Sequence, residues 1–317
     1  MGSCCEQWTV PRTLVGVVGM IKLKRLLDRP VLLPKKENSW EAGAVFNCAV
    51  TSDNGSVHVI YRATDISSNG QKGEYISRLG YAVSSDGINF DRLEQPILSN
   101  DVEQELRGPE DPRIVKIDNT FFMMYTGYGG RFDGDYRICL ATSEDLIDWR
   151  RHGVVLDEPN KDAALFPEKI DGKYVMLHRR APNIWLAYSD DLKSWDDHTL
   201  VMKPMPHSEW QSVKIGVAGP PIKTEDGWFL IYHGVSEHRR YCLGAALLDL
   251  KDPSKVITRQ AEPILEPELD WEINGHVPDV VFSCGQAVMD DEMYVYYGGA
   301  DTVIGVCALS VNDLRFG

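Results

Sequence analysis

A chain of 317 residues, 43% hydrophobic and 25% charged, has the composition of a folded globular protein and excludes extensive disorder. Its formal net charge of −14 gives no basic footprint for nucleic acid, so any anionic ligand has to be held by a few focused cations. The seven cysteines (Cys4, Cys5, Cys48, Cys139, Cys242, Cys284 and Cys307) form no C-x-x-C pair, which points to buried free thiols in a reducing compartment over disulfides or metal ligands.

Residues 1–20 read as an extension of unassigned role. Met1-Gly2-Ser3-Cys4-Cys5-Glu6 is close to a lipidation site, but Glu6 stands where Ser or Thr is wanted. Residues 13–21 are apolar, yet Lys22, Lys24 and Arg25 follow them, the wrong order for a secretory signal. No run reaches the roughly 18 apolar residues of a membrane span, and a cytoplasmic protein is expected. Residues 21–317 show no composition shift or linker and are read as one domain.

From residue 57 onward, short β-branched and aromatic runs alternate with Gly, Asp, Asn and Pro clusters, the pattern of an all-β fold. One type of run recurs five times, at 57–62, 121–126, 173–178, 228–233 and 293–298. A second type follows at 81–90, 140–149 and 186–195, with looser copies at 243–252 and 306–314. It couples a strand to an Asp-centred turn and then an aromatic that packs back. Positions 62, 126, 178, 233 and 298 lie 64, 52, 55 and 65 residues apart, the period of a four-stranded propeller blade. One blade cannot bury both faces of its sheet, so five must close into a ring. A five-bladed β-propeller is therefore expected, with a β-sandwich as the weaker alternative.

Phosphate-loop, nucleophile-elbow and H-E-x-x-H patterns are absent, and the eight histidines show no metal-ligand spacing. Gly127-Tyr128-Gly129-Gly130 follows a strand and reads as a mobile loop. In a propeller the inner strands deliver polar residues from different blades to a central funnel. The candidates are Asn47, Arg62, Asp65, Glu110, Asp111, Lys161, Asp162, Arg179, Lys214, His233, Tyr241, Asp279 and Asp301. Each alone also has a bland reading as a turn residue, a surface charge or a satisfied core group.

Motifs in Val45-Phe46-Asn47, Tyr61-Arg62-Ala63, Glu110-Asp111-Pro112-Arg113, Leu165-Phe166-Pro167-Glu168-Lys169-Ile170, Lys214-Ile215-Gly216 and Tyr296-Tyr297-Gly298-Gly299-Ala300-Asp301 keep their order along the chain. On these segments the sequence resembles glycoside hydrolase family 130, the β-mannoside phosphorylases and related mannosidases, whose fold is a five-bladed propeller. The resemblance implies Asp111 as the general acid, passing its proton through the mannose 3-hydroxyl. It implies a phosphate pocket of Lys161, Arg179 and Lys214 with His233 and Tyr241 adjacent, and sugar contacts from Asn47, Arg62, Asp65, Glu110, Asp279 and Asp301. Asp279 stands where many relatives carry Asn, and Glu110 where some carry Tyr.

Hydrolysis with inversion needs an acid and a base, whereas phosphorolysis needs only the acid, because phosphate is already nucleophilic and cations replace the base. The expectation is thus inverting phosphorolysis of β-1,2- or β-1,4-linked manno-oligosaccharides, with inorganic phosphate as co-substrate and no cofactor, metal, nucleic acid or membrane partner. Acceptor subsites are built by loops and sometimes by a neighbouring subunit, so a homo-oligomer is compatible with this reading. The alternatives are a hydrolytic β-mannosidase of the same fold and a non-catalytic glycan-binding propeller.

Overall fold

The computed structural model describes residues 20–65 and 75–316, so most of the proposed extension and Cys4 and Cys5 fall outside it. The described chain forms five antiparallel sheets, and their strand order is that of a five-bladed propeller. Blade 1 comprises Ala44–Asp53, Ser56–Thr64, Ser77–Ser84 and Asp91–Arg92. Blade 2 comprises Gly108–Ile117, Thr120–Tyr128, Tyr136–Ser143 and Arg150–Leu156. Blade 3 comprises Lys161–Leu165, Tyr174–Arg180, Asn183–Ser189 and Asp196–Met202. Blade 4 has Lys214–Val217, Trp228–Val235, Tyr241–Leu248 and Val256–Arg259, with Ile222–Lys223 added beside its second strand.

Blade 5 closes the ring. Its inner three strands, Val281–Met289, Glu292–Gly299 and Val303–Ser310, come from the C-terminal end of the chain, and its outermost strand is Lys24–Arg25 from the N-terminal end. Five hydrophobic clusters fill the seams between neighbouring blades. The cluster of Ile21, Leu23, Phe229, Leu243, Val295 and Leu314 seals blade 4 to blade 5, so both ends of the described chain are held by apolar burial as well as by strand pairing. This arrangement excludes the sandwich alternative.

The recurrent sequence runs are the second and third strands of each blade. The turns after the third strands of blades 1, 2 and 3 share one mechanism. Ser84 Oγ accepts from the backbone N–H of Asp86 and Gly87, and Asp86 Oδ1 accepts from those of Ile88 and Asn89. Ser143 with Asp145, and Ser189 with Asp191, repeat the pattern. These backbone N–H groups hold Asp86, Asp145 and Asp191 below the ordinary aspartate range, which marks strong local bonds and not a reactive site.

The first strands of three blades carry a bulge near their start. The register slips between Phe46 and Ala49, between Glu110 and Arg113, and between Lys161 and Ala164. Each bulge holds one residue with a left-handed backbone: Asn47 (φ 46°), Asp111 (φ 50°) and Asp162 (φ 58°). Asn and Asp tolerate this region better than other L residues. A bulge re-aims a side chain, and here it turns three equivalent polar groups towards one end of the ring.

Candidate active site

These bulge residues, with the ends of the second strands, line a cavity of about 440 Å³. Phe46 pairs with Arg62, Glu110 with Thr126 and Lys161 with Arg179, so the positions beside the bulges correspond across blades. The third copy of the repeat is thus in register at Arg179, one residue later than the spacing of the runs suggests. Ten of the thirteen candidates named from sequence line the cavity: Asn47, Arg62, Glu110, Asp111, Lys161, Asp162, Arg179, Lys214, Tyr241 and Asp301.

One wall is built around Asp111. Asn47 Nδ2 and Arg62 Nη1 both donate to Asp111 Oδ1, each at 3.0 Å. Oδ2 receives no donor from the described residues, so it is the oxygen able to carry a proton. Burial pushes the Asp111 carboxyl up, but Arg62, Lys161, the Asn47 amide and Arg113 together outweigh it and hold the group below the ordinary aspartate range. Neighbouring Glu110 is clasped from both sides, by Arg62 at 2.6 Å and by Lys161 at 3.0 Å. Arg62 also donates to Ser77 Oγ at 2.9 Å and Tyr75 Oη at 3.3 Å, with its guanidinium 4.8 Å from the Phe46 ring centre. A fully engaged planar group of this kind fixes a carboxylate pair in one geometry.

The opposite wall is cationic and built over Asp162. This buried carboxylate meets Arg113 at 3.2 Å and Arg179 at 2.6 Å. Although burial opposes ionisation, Arg179, Arg113 and Lys161 hold it well below the ordinary range. Gly216 makes this packing feasible, since a Cβ there would collide with the Asp162 carboxylate and the His233 ring. Arg113 is spent on structure, donating to the backbone carbonyls of Asp111, Val217 and Ala218. Lys214 has its ammonium 5.3 Å from the Tyr241 ring centre and makes no ion pair with a described carboxylate. Burial, then the like charges of Arg179, Lys161 and Arg239, push Lys214 below the ordinary lysine range, with Asp162 opposing. A cation held down by other cations is a site that an anion would relieve.

Asp65, His233 and Asp279 do not line the cavity. His233 is fully buried beneath it, 3.5 Å from Asp162 and against the Phe282 ring, and burial pushes it down to about 3, so it is neutral. Asp65 lies 3.9 Å from Arg78, at the edge of 66–74, which fall outside the described residues. Asp279 acts through its backbone, whose carbonyl accepts from Tyr241 N–H at 3.0 Å.

Tyr75, Tyr128, Asp133, Tyr136, Arg239 and His276 also line the cavity and had no motif to mark them. Asp162, a candidate from the sequence to which the resemblance gave no role, repeats the position of Asn47 and Asp111 in the third blade. Tyr128 and Tyr136 face each other at the end of a hairpin, with the Lys161 ammonium 5.8 and 5.1 Å from their ring centres. The Gly-rich segment between them, expected to be mobile, is instead clamped. Buried Asp135 accepts from the backbone and guanidinium of Arg131, whose guanidinium also bridges to Glu103 and Gln104. The missing side chain at Gly129 leaves room for that carboxylate.

A family model described as β-1,4-mannooligosaccharide phosphorylase matches residues 26–315. A 1,2-β-oligomannan phosphorylase of Thermoanaerobacter sp. (strain X514) is 68% identical over 297 residues, covering 94% of this chain and 100% of that protein. A β-1,2-mannobiose phosphorylase of the same strain is 57% identical over 303 residues, with 94% and 100% covered. Among solved structures, the Listeria innocua β-1,2-mannobiose phosphorylase in complex with β-1,2-mannobiose superposes with a TM-score of 0.84 at 30% identity, covering 92% of this chain and 98% of that one.

Proposed function

Because the chain belongs to glycoside hydrolase family 130, we propose that it is an inverting mannoside phosphorylase that cleaves β-1,2-linked manno-oligosaccharides with inorganic phosphate. The observation that carries the reading is the pairing of one carboxyl, Asp111, with a facing wall whose cations exceed their carboxylate partners. Phosphate held by Arg179 and Lys214, with Lys161 at the boundary between the walls, needs no catalytic base. Glu110 and Asp162 are each bound by two cations at 3.2 Å or less, which makes either a poor base for activating water.

In this mechanism a phosphate oxygen attacks the anomeric carbon as the glycosidic C–O bond breaks. The proton on Asp111 Oδ2 passes to the leaving oxygen, by way of the mannose 3-hydroxyl, and the products are α-mannose 1-phosphate and a shortened sugar. Asn47, Arg62 and Asp301 hold the mannosyl hydroxyls, while Tyr128, Tyr136 and His276 border the acceptor. Asp111 has to gain its proton before turnover. Sugar covering the carboxyl and a phosphate dianion opposite both favour the neutral form. The two relatives' names support the β-1,2 linkage, and the free, buried state of the five described cysteines supports a reducing, cytoplasmic setting.

The test is sugar release from β-1,2- and β-1,4-mannobiose with and without phosphate. Phosphate-dependent release from the β-1,2 disaccharide, with α-mannose 1-phosphate as product, is expected. Equal release without phosphate would make the protein a mannosidase, and no release from either sugar would leave a glycan-binding propeller.

A further inference from the structure

Four blades tie their second strand to their fourth with one device. A buried tyrosine in the second half of the second strand bonds to a buried acid or amide, and an arginine of the fourth strand bonds to the same group. The sets are Tyr61–Glu41–Arg92, Tyr125–Glu105–Arg151, Tyr232–Gln211–Arg259 and Tyr297–Glu272–Arg25. None of these four sets contains a histidine.

Blade 3 differs. His178 occupies the tyrosine's position: it pairs with Trp185 as those four tyrosines pair with Gly80, Cys139, Gly244 and Gly305. His198 stands on the fourth strand in place of arginine, and Asn160 supplies the buried amide. This is also the blade whose next residue, Arg179, forms the cationic wall.

The hydrogen bonds fix every proton in this set. Arg179 N–H donates to Asn160 Oδ1 at 3.1 Å. The amide nitrogen must then donate, and it does so twice, to Glu158 Oε1 and to His178 Nδ1, each at 2.9 Å. His178 Nδ1 is therefore the bare nitrogen, and its Nε2–H donates to His198 Nδ1 at 3.0 Å. We propose that Asn160, His178 and His198 are a positioning relay through which protonation of half-buried His198 weakens the grip of Arg179 on phosphate. The proposal rests on the reading of Arg179 as a phosphate ligand.

A second proton on His198 would sit on Nδ1 and confront His178 Nε2–H. Relief requires the His178 proton to move to Nδ1, where it faces the Asn160 NH2. The amide must then turn, and its oxygen leaves Arg179 N–H. The charged groups around the pair are Arg180 and Glu158, joined to each other at 2.7 Å, and Asp196 beside His198. Burial, then Arg180, holds His198 below the ordinary histidine range, and burial, then His198 and Arg180, holds His178 at about 3. Both rings are thus neutral at neutral pH, and the relay breaks only on acidification.

Phosphorolysis of β-1,2-mannobiose by the full chain tests this. Asn160→Ala should raise the KM for phosphate roughly fivefold or more while the KM for the mannoside stays within about twofold; an equal rise in both would mean general loosening and overturn the proposal. His198→Asn keeps an acceptor where Nδ1 was but cannot take up a proton, and at this half-buried position on an outer strand the smaller side chain spares the fold. Sulfate, doubly charged throughout, serves as the competing anion. Between about pH 7.5 and about pH 5 its inhibition constant should rise at least about fivefold in the wild type and stay flat in His198→Asn; parallel curves would overturn the proposal. Arg179→Lys with an unchanged phosphate KM would remove the pocket reading, and the relay with it.

Discussion

Replacing Asp111 with asparagine separates its chemistry from its place in the fold. The asparagine oxygen can still accept from Asn47 Nδ2 and Arg62 Nη1, the two donors that meet Oδ1. Arg62 loses one anionic partner but keeps Glu110 at 2.6 Å, Ser77 and Tyr75, so no buried charge is orphaned. We therefore expect a destabilisation of about 1 kcal/mol, a fall in Tm of only a few degrees. Catalysis should suffer far more, because the neutral amide has no proton to deliver. Loss of a positioned general acid costs about 100- to 10,000-fold, or about 2.7–5.5 kcal/mol in the barrier. The assay is initial-rate phosphorolysis with both substrates varied: kcat should fall in that range with both KM values within a few-fold of wild type. In the wild type, the alkaline limb of kcat/KM for the mannoside should lie at lower pH than that of kcat, since bound sugar raises the Asp111 carboxyl. Turnover of Asp111→Asn within tenfold of wild type would refute the assignment.

Other consequences are as direct. Asp162→Asn breaks a buried charge cluster and should cost about 3 kcal/mol, a drop in Tm of about 5–10 °C at neutral pH; an unchanged Tm would show the cluster to be energetically idle. Because the Asp162 carboxyl is held below its unfolded value, this stabilisation is present above about pH 3.9 and lost as acid titrates the folded group, so the gap between the proteins should close at low pH. Sulfate binding near about pH 9 should draw a proton onto Lys214, whose depressed ammonium an anion restores. Calorimetry in two buffers of different ionisation enthalpy would register that uptake, and Lys214→Met should abolish it; buffer-independent heats would contradict the pocket. Finally, Cys139, Cys242 and Cys307 are pushed up to about 12 by burial, and Cys48 and Cys284 are also raised, so at most two of the seven thiols should react promptly with a thiol reagent in the native protein.

Much of the architecture is legible in the chain because it is written locally and repeated. Each second strand is an apolar run, each Asp-centred turn needs only its own few residues, and five copies at blade period require five blades. Asp111, Lys161, Arg179 and Lys214 could be proposed because the family resemblance implied them; Lys161 and Lys214 open first strands, whereas Arg179 lies near the end of a second strand. Ring closure was not readable, since Lys24–Arg25 is too short to be seen as a strand and gains its meaning from pairing with Val303–Ser310. The bulges at Asn47, Asp111 and Asp162 were hidden too: one extra residue in a strand reverses which side chains face the funnel, and only pairing with the second strand reveals it. Asp65, His233 and Asp279 lie outside the cavity lining, while Tyr75, Tyr128, Tyr136 and Arg239, carried on hairpin ends and loops, join it. The sequence determined the repeat and the chemistry available to it. Tertiary structure decided which of those groups share one cavity, because convergence of five blades on a common axis depends on contacts far apart in the chain.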